Sequence, residues 1–225
     1  MPSENHRDLE ITQRTRLRRM RERGHFDRDT IDAILDAMPL CHVGYVQGDS
    51  PVVMPTIQWR EGDHIYWHAS SGGRGIKSAE DSEVCVTVTL LDGLVLARSG
   101  LHHSANYRSV MVFGIPHRVT DPLEKRDRLN ALIDTLYPGR SSTLREMTEI
   151  EVRQTTVLSL PLNEASAKIR AACVADDEED YALPIWAGVI PMRTVALEPE
   201  PDPRNLPDLS IPDHVSNCRF GQAGN

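Results

Sequence analysis

Ser70 and Ser71 close an extended-type run, and behind them Gly72-Gly73-Arg74-Gly75-Ile76-Lys77 sets a glycine-rich turn against a guanidinium and an ammonium. Those residue types in that order suit an anion. Glycines let backbone N–H groups approach it, hydroxyls donate to its oxygens, arginine offers a two-pronged fork and lysine a point charge. A helix starting near Gly75 would add its N-terminal dipole. The stretch is neither G-x-G-x-x-G nor G-x-x-x-x-G-K-[ST], so the common dinucleotide and triphosphate motifs do not apply. On local chemistry alone, a glycine-rich surface loop with incidental basic residues explains it equally well.

Other reactive residues stand alone. His102 and His103 are adjacent, and neighbours on a strand point to opposite faces, so they are a poor chelating pair; no partner ligand stands at a recognisable spacing, and no metal site is expected. Cys41, Cys85, Cys173 and Cys218 are scattered without a C-x-x-C pair, which argues against a zinc ribbon or a thioredoxin-like redox site. No G-x-S-x-G elbow occurs, and no residue is assigned as a catalytic acid, base or nucleophile.

The elements that must position the serines and glycines read mainly as strands. Val43 to Val46, Val52 to Trp59 and Ile65 to His68 are separated by turn signals at Gly48-Asp49 and Glu61-Gly62-Asp63. Val84 to Leu91 alternates apolar with polar residues, and Asp92-Gly93 reads as a hairpin turn into Leu94 to Arg98. Ser109 to Val119 is a further strand, bent near Gly114 and Pro116. Thr155 to Leu160 and Gly188 to Leu197 read as closing strands, with Asn163 to Cys173 a short helix or loop between them and Asp176 to Asp180 an acidic loop.

Two helices flank these strands. One is capped by Asp29 and carries Ile31, Ile34, Leu35 and Met38; the other runs from Pro122 to Leu136 and stops at Pro138-Gly139. Short strands with tight turns and grouped helices indicate an α+β protein built on an antiparallel barrel. Outside it lie a basic N-terminal arm, residues 1–24, with Arg14, Arg16, Arg18, Arg19, Arg21 and Arg23, and a proline-rich tail, residues 198–225. The arm reads as a solvated segment lying over an acidic protein, and the tail as a surface wrap or a disordered end.

The 225 residues, 40% hydrophobic and 26% charged, suffice for one substantial domain with additions. A formal charge of -8 disfavours nucleic acid and anionic lipid as partners, which require a basic surface. Neither a signal-peptide run nor a membrane-spanning run is present, so a cytoplasmic protein is expected.

Four segments then resemble, in order, the pyridoxamine 5'-phosphate oxidase-like superfamily, and most closely its flavin-nucleotide-binding branch that includes the nitroimidazole-resistance reductases. They are Pro51 to Thr56; Asp63 to Lys77 with the following strand Val84 to Val88; Tyr107 to Gly114; and Trp186-Ala187-Gly188-Val189-Ile190-Pro191. The likeness covers roughly His25 to Val195.

The resemblance implies an α+β fold: an antiparallel six-stranded-type split β-barrel with flanking helices, over residues 25–197. It implies FMN held between the two subunits of a homodimer. Val53, Met54, Pro55 and Thr56 would line the isoalloxazine edge, and Ser70, Ser71, Arg74 and Lys77 would hold the phosphate, the two basic residues more firmly than the serines. Asn106, Tyr107, Arg108 and Ser109 would approach from the partner subunit, with Trp186 near the ring or the dimer seam. Tyr107 and Trp186 serve equally as interface fillers, and Ser109 as a cap for strand-end groups. His68 stands where this branch often has histidine, and either donates to the flavin or is a satisfied structural residue. Lys168 and Arg170 match a similar basic stretch, which a solvated face also explains.

The implied activity is that of an FMN-dependent oxidoreductase, passing electrons from a small reduced donor to a nitroaromatic, a quinone or oxygen. Oxidation of pyridoxamine phosphate is disfavoured, because the proline-rich acidic end lacks the basic residues that would hold that substrate. The rival readings are a non-catalytic flavin-binding or sensing protein, haem or a deazaflavin in the same barrel, and nucleic-acid binding through the arginine arm.

Overall fold

The computed structural model describes residues 8–72, 79–80 and 82–216. Arg74 and Lys77 lie outside the described residues. Ten strands form one continuous antiparallel sheet in the order β1-β9-β6-β5-β2-β3-β4-β8-β7, with β10 joining β5. They are β1 (Gly24–His25), β2 (Leu40–Gln47), β3 (Ser50–Glu61), β4 (His64–Ser70), β5 (Val84–Leu96), β6 (Ser104–Gly114), β7 (His117–Arg118), β8 (Thr155–Pro161), β9 (Ala165–Arg170) and β10 (Gly188–Pro191). The helices are α1 (Arg28–Ala37), α2 (Pro122–Leu136), α3 (Glu149–Gln154) and α4 (Asp213–Ser216). Together they make the expected α+β split barrel. No described helix is long and apolar enough to cross a membrane.

The split is visible in the pairing of β3. Its first part, Ser50 to Ile57, pairs with β2, whereas only Gln58 to Glu61 pairs with β4. Beyond Trp67, β4 stays with β8 through Ser70↔Thr155 and leaves β3 behind. The two half-sheets therefore diverge from Gln58 and Trp67 onward.

Alternation along the strands builds two cores. Val43, Val86, Val88, Val110 and Trp67 point inward and meet Ile31, Ile34 and Leu35 of α1. On the opposite face of β3, β4 and β8, Trp59, Tyr66 and Val157 receive Leu129 and Leu132 of α2. Burying each such side chain contributes about 1.5–3 kcal/mol. Gln58 sits at the junction, 1% exposed, and its Nε2 donates to the carbonyls of Leu35 at 2.7 Å and Met38 at 3.0 Å, closing the C-terminal end of α1.

The helix starts follow capping chemistry. Asp121 accepts from the Glu124 amide ahead of Pro122, and Thr148 with Glu151 makes a capping box for α3. The cap of α1 is Asp27, which accepts from the Thr30 amide at 2.8 Å; Asp29, expected in that role, lies one residue inside the helix.

Three further expectations change. Asp92-Gly93 is a bulge in one continuous 13-residue strand and not a hairpin turn. Gly93 is closely opposed by β10, which pairs antiparallel beside it, and a Cβ there would lie 3.0 Å from Val189 Cγ1 and 3.1 Å from the Ile190 carbonyl. The stretch expected as helix or loop contains β9, whose small Ala165 and Ala167 are fully buried between β6 and the arm side; pairing on both edges overrides its weak β propensity. β10 ends at Pro191 instead of reaching Leu197.

Candidate flavin site at the split of the barrel

Along Ser50 to Ile57, β3 has β2 on one edge and, among the described residues, no strand on the other. Val53 and Pro55 point outward, Val53 66% exposed, while Met54 packs against the inner core and Thr56 is half-buried. Across the split, His68, Ala69 and Ser70 continue β4. The structure thus sets the strand segment expected at the flavin ring beside the one expected at the phosphate. Ser71 roots the glycine-rich turn, its amide donating to the Gln154 carbonyl at 2.9 Å, and Gly72 faces open space.

His68 shares a face with Tyr66 and Ser70, as alternation requires, and lies 6.4 Å from the Trp59 ring. Its Nδ1 is buried without a hydrogen-bond partner, and burial pushes its pKa below the usual imidazole value. The ring thus keeps one buried nitrogen without a partner among the described residues, two positions from Ser70. It fits a polar group entering the split.

The second expected cluster stands elsewhere. β6 is separated from β3 by β5 and β2, three strand spacings or about 14 Å across the sheet, and the clusters are offset along it as well, since Val53 falls in line through Gly44 and Cys85 with Phe113 and not with Tyr107. Several of its polar groups are engaged within the chain. Asn106 donates to the Ala172 carbonyl at 3.1 Å and accepts from Arg170 and the Ala172 amide. Arg108 grips Asp92 with two hydrogen bonds. Ser109 Oγ donates to the Lys168 carbonyl at 3.3 Å, the strand-satisfying role. Tyr107 and Lys168 are half-buried on the same sheet, and Arg170 is buried. Trp186 is 70% exposed, its ring folded back so that a Cβ at Gly188 would lie 2.9 Å from it.

Two features escaped the sequence reading. His42 is exposed on the outer face of β2, paired with Pro55 on one side and Thr87 on the other. The alternation Leu40/His42 against Cys41/Val43 was the signal that could have found it. His102 does have acidic neighbours: one ring nitrogen lies 3.6 Å from Asp176 and the other 4.0 Å from Asp177, with Asp180 alongside. Those residues are far apart in sequence, so spacing could not reveal them.

The profile of the pyridoxamine 5'-phosphate oxidase family matches residues 27–169, all ten strands but β1 and β10 and the split itself. The chain belongs to the pyridoxamine 5'-phosphate oxidase-like split-barrel family. Among solved structures, this family member is similar to the flavocytochrome Anf3 from Azotobacter vinelandii: 47% identity over 93% of this chain and 98% of that one, with a TM-score of 0.90. It is also similar to the FAD and heme binding protein from Mycobacterium smegmatis, at 33% identity over 88% and 98% of the two chains and a TM-score of 0.84. A protein from Bacteroides thetaiotaomicron named for 5-nitroimidazole antibiotic resistance shares the fold, at 24% identity over 65% and 86% of the chains and a TM-score of 0.56. No curated protein matches this family member.

Proposed function

We propose that this protein is a flavin- and haem-binding oxidoreductase that moves electrons between a small reduced donor and a small acceptor. The observation that carries the reading is the edge of β3 left without a strand partner among the described residues at the split, with the unpartnered Nδ1 of His68 on the diverging strand β4. It is supported by the two similar proteins, one a flavocytochrome and one named for FAD and heme, which align with most of this chain. The reading joins the expected flavin with the haem that the sequence left as a rival.

The flavin would lie along Val53 to Thr56 with its phosphate toward Ser70 and Ser71, the turn that continues to Arg74 and Lys77. It supplies the redox chemistry when bound; the chain orients it and keeps the His68 ring neutral beside it. FMN would end at that turn, whereas FAD would continue past it. His68, whose Nδ1 has no partner among the described residues, and the exposed His42 are imidazoles that could ligate a haem iron.

A homodimer is part of the proposal. Tyr107 and Ser109 stand three strands from Val53 within one chain and out of register with it, which supports a flavin held between two copies if it meets both clusters. Outward-facing Val53, Leu91, Met111 and Trp186 offer apolar surface for it.

The test is the absorption spectrum of the purified protein, with mass identification of what it releases. Flavin bands with a Soret band are expected, and the released mass separates FMN from FAD. A protein that binds no flavin after reconstitution, or carries a deazaflavin, overturns the reading. NAD(P)H-dependent bleaching under anaerobic conditions separates an enzyme from a passive flavin carrier, and light scattering reports the dimer.

A further inference from the structure

Tyr66 and His68 share one face of β4, and Trp59 pairs with Tyr66 from β3, so three rings form a row that begins at the split. The Trp59 and His68 ring centroids are 6.4 Å apart. Trp59 and Tyr66 are stacked, with centroids 5.6 Å apart and planes 21° from parallel. Both are buried in the core under α2, Trp59 to 1% exposure and Tyr66 to 5%.

Packing accounts for the stack but not for what the Trp59 indole does with its proton. Trp67 shows the contrast: it is fully buried in the other core, and its Nε1 has no hydrogen-bond partner among the described residues. Trp59 Nε1 donates to Glu61 Oε1 at 2.9 Å, while Arg128 holds the other carboxylate oxygen, Oε2, at 2.9 Å. Of the chain's three tryptophans, Trp59 alone donates to a carboxylate among the described residues.

That geometry favours the loss of an electron from Trp59. A carboxylate at hydrogen-bond distance stabilises the positive charge left on the ring. An oxidised indole is a far stronger acid than an indole, and 2.9 Å is within reach for direct transfer, so the Nε1 proton passes to Oε1. Tyr66 is arranged the opposite way. The Arg128 guanidinium lies 4.9 Å from its ring centroid, and a cation there opposes oxidation of the phenol. The charge therefore stays on Trp59 and does not pass along the stack. Toward the split, the His68 ring is the bridge.

We propose that Trp59 is a one-electron donor to the flavin of the split, with Glu61 as its proton acceptor. The oxidant is the flavin in its light-excited state. The Trp59 indole loses one electron and the flavin gains it; the Nε1–H bond breaks as an O–H bond forms on Glu61. Return of the electron and the proton restores the starting state. The inference rests on the flavin reading above and adds to it an electron donor built into the chain.

The experiment uses the full chain reloaded with flavin and without haem. A short blue pulse excites the flavin, its emission lifetime reads the electron transfer, and transient absorption reads the tryptophan radical. The wild type should show a shortened lifetime and a neutral tryptophan radical. Trp59→Phe, which keeps a ring in the core, should lose the radical and lengthen the lifetime with flavin affinity unchanged, and a melting curve verifies its fold. Glu61→Gln keeps a hydrogen-bond acceptor that takes no proton, so the radical should persist as the protonated cation, which absorbs at longer wavelength. Trp186→Phe should match the wild type. Where Trp59→Phe does not fold, the Glu61→Gln spectrum decides. A radical that survives Trp59→Phe or vanishes with Trp186→Phe overturns Trp59 as the donor, and so does a flavin-loaded wild type without a radical; each leaves the flavin reading intact. A neutral radical formed at the wild-type rate in Glu61→Gln overturns Glu61 as the acceptor. A chain that takes up no flavin overturns both readings.

Discussion

Arg108 and Asp92 form a two-pronged ion pair across the bulge of β5, Nε to Oδ2 at 2.9 Å and Nη2 to Oδ1 at 2.8 Å. The pair holds the irregular strand against β6, and it raises the Arg108 pKa, chiefly through the hydrogen bond itself. Asp92→Ala and Arg108→Ala should each cost about 1–2 kcal/mol in urea unfolding. A double-mutant cycle should return a coupling of about 1 kcal/mol, and a coupling near zero would show the pair to be idle.

His68 predicts an acid-side loss of stability. Burial lowers its folded-state pKa below the unfolded value of about 6.5, so the unfolded chain takes up the proton first. The contribution is complete above about pH 6.5 and falls as pH drops from there to the folded-state pKa, with a slope of at most about 1.4 kcal/mol per pH unit. His68→Gln cannot titrate. Urea midpoints for the two proteins should converge or cross as pH falls through that window, and a constant difference refutes the assignment.

Gly93 tests the pairing of β10 beside β5, where it lies opposite Pro191. In Gly93→Ala the new methyl meets the Val189 side chain and the Ile190 backbone, so β10 must shift, at a cost of about 1–3 kcal/mol. Hydrogen exchange should quicken at Gly188 to Pro191 while the β5–β2 pairs stay protected; uniform exchange across the sheet counts against the contact.

The arm is held largely through Glu164. Glu164→Gln weakens its contacts with both Thr12 and Arg14, and a loss of about 1 kcal/mol corresponds to a melting point lower by ~2–4 °C. Trypsin should then cut after Arg14 to Arg21 faster than in the wild type, with cleavage elsewhere unaltered.

Phosphate binding at the glycine-rich turn predicts an order among four substitutions. Arg74→Gln and Lys77→Gln should each weaken FMN at least ~10-fold, and Ser70→Ala and Ser71→Ala less, because a charged donor contributes about twice as much as a neutral one. Isothermal titration ranks them, and equal FMN affinity in all four removes the cradle.

Period-two alternation in β5 and the helical stripe of α2 were legible because each depends on residues a few positions apart. So were Pro51 to Thr56 and Asp63 to Ser70 as strands, since each carries a recognisable local pattern; that the sheet divides between them came only from the pairing. β9 was not legible: alanine, serine and lysine say little until β6 and β1 pair with them. Asp92-Gly93 was misread for the same reason, because a turn and a bulge share residues and only the continued ladder with β6 distinguishes them.

By itself, then, the amino-acid sequence determined which residues could hold a phosphate and which strands face a core, both matters of short-range chemistry. Tertiary structure alone decided that Tyr107 and Val53 lie three strands apart and out of register, and that Asn106 and Arg108 spend their donors within the chain. Each of those facts depends on residues distant in sequence meeting across paired strands, and strand pairing is settled by the whole barrel and not by any one segment.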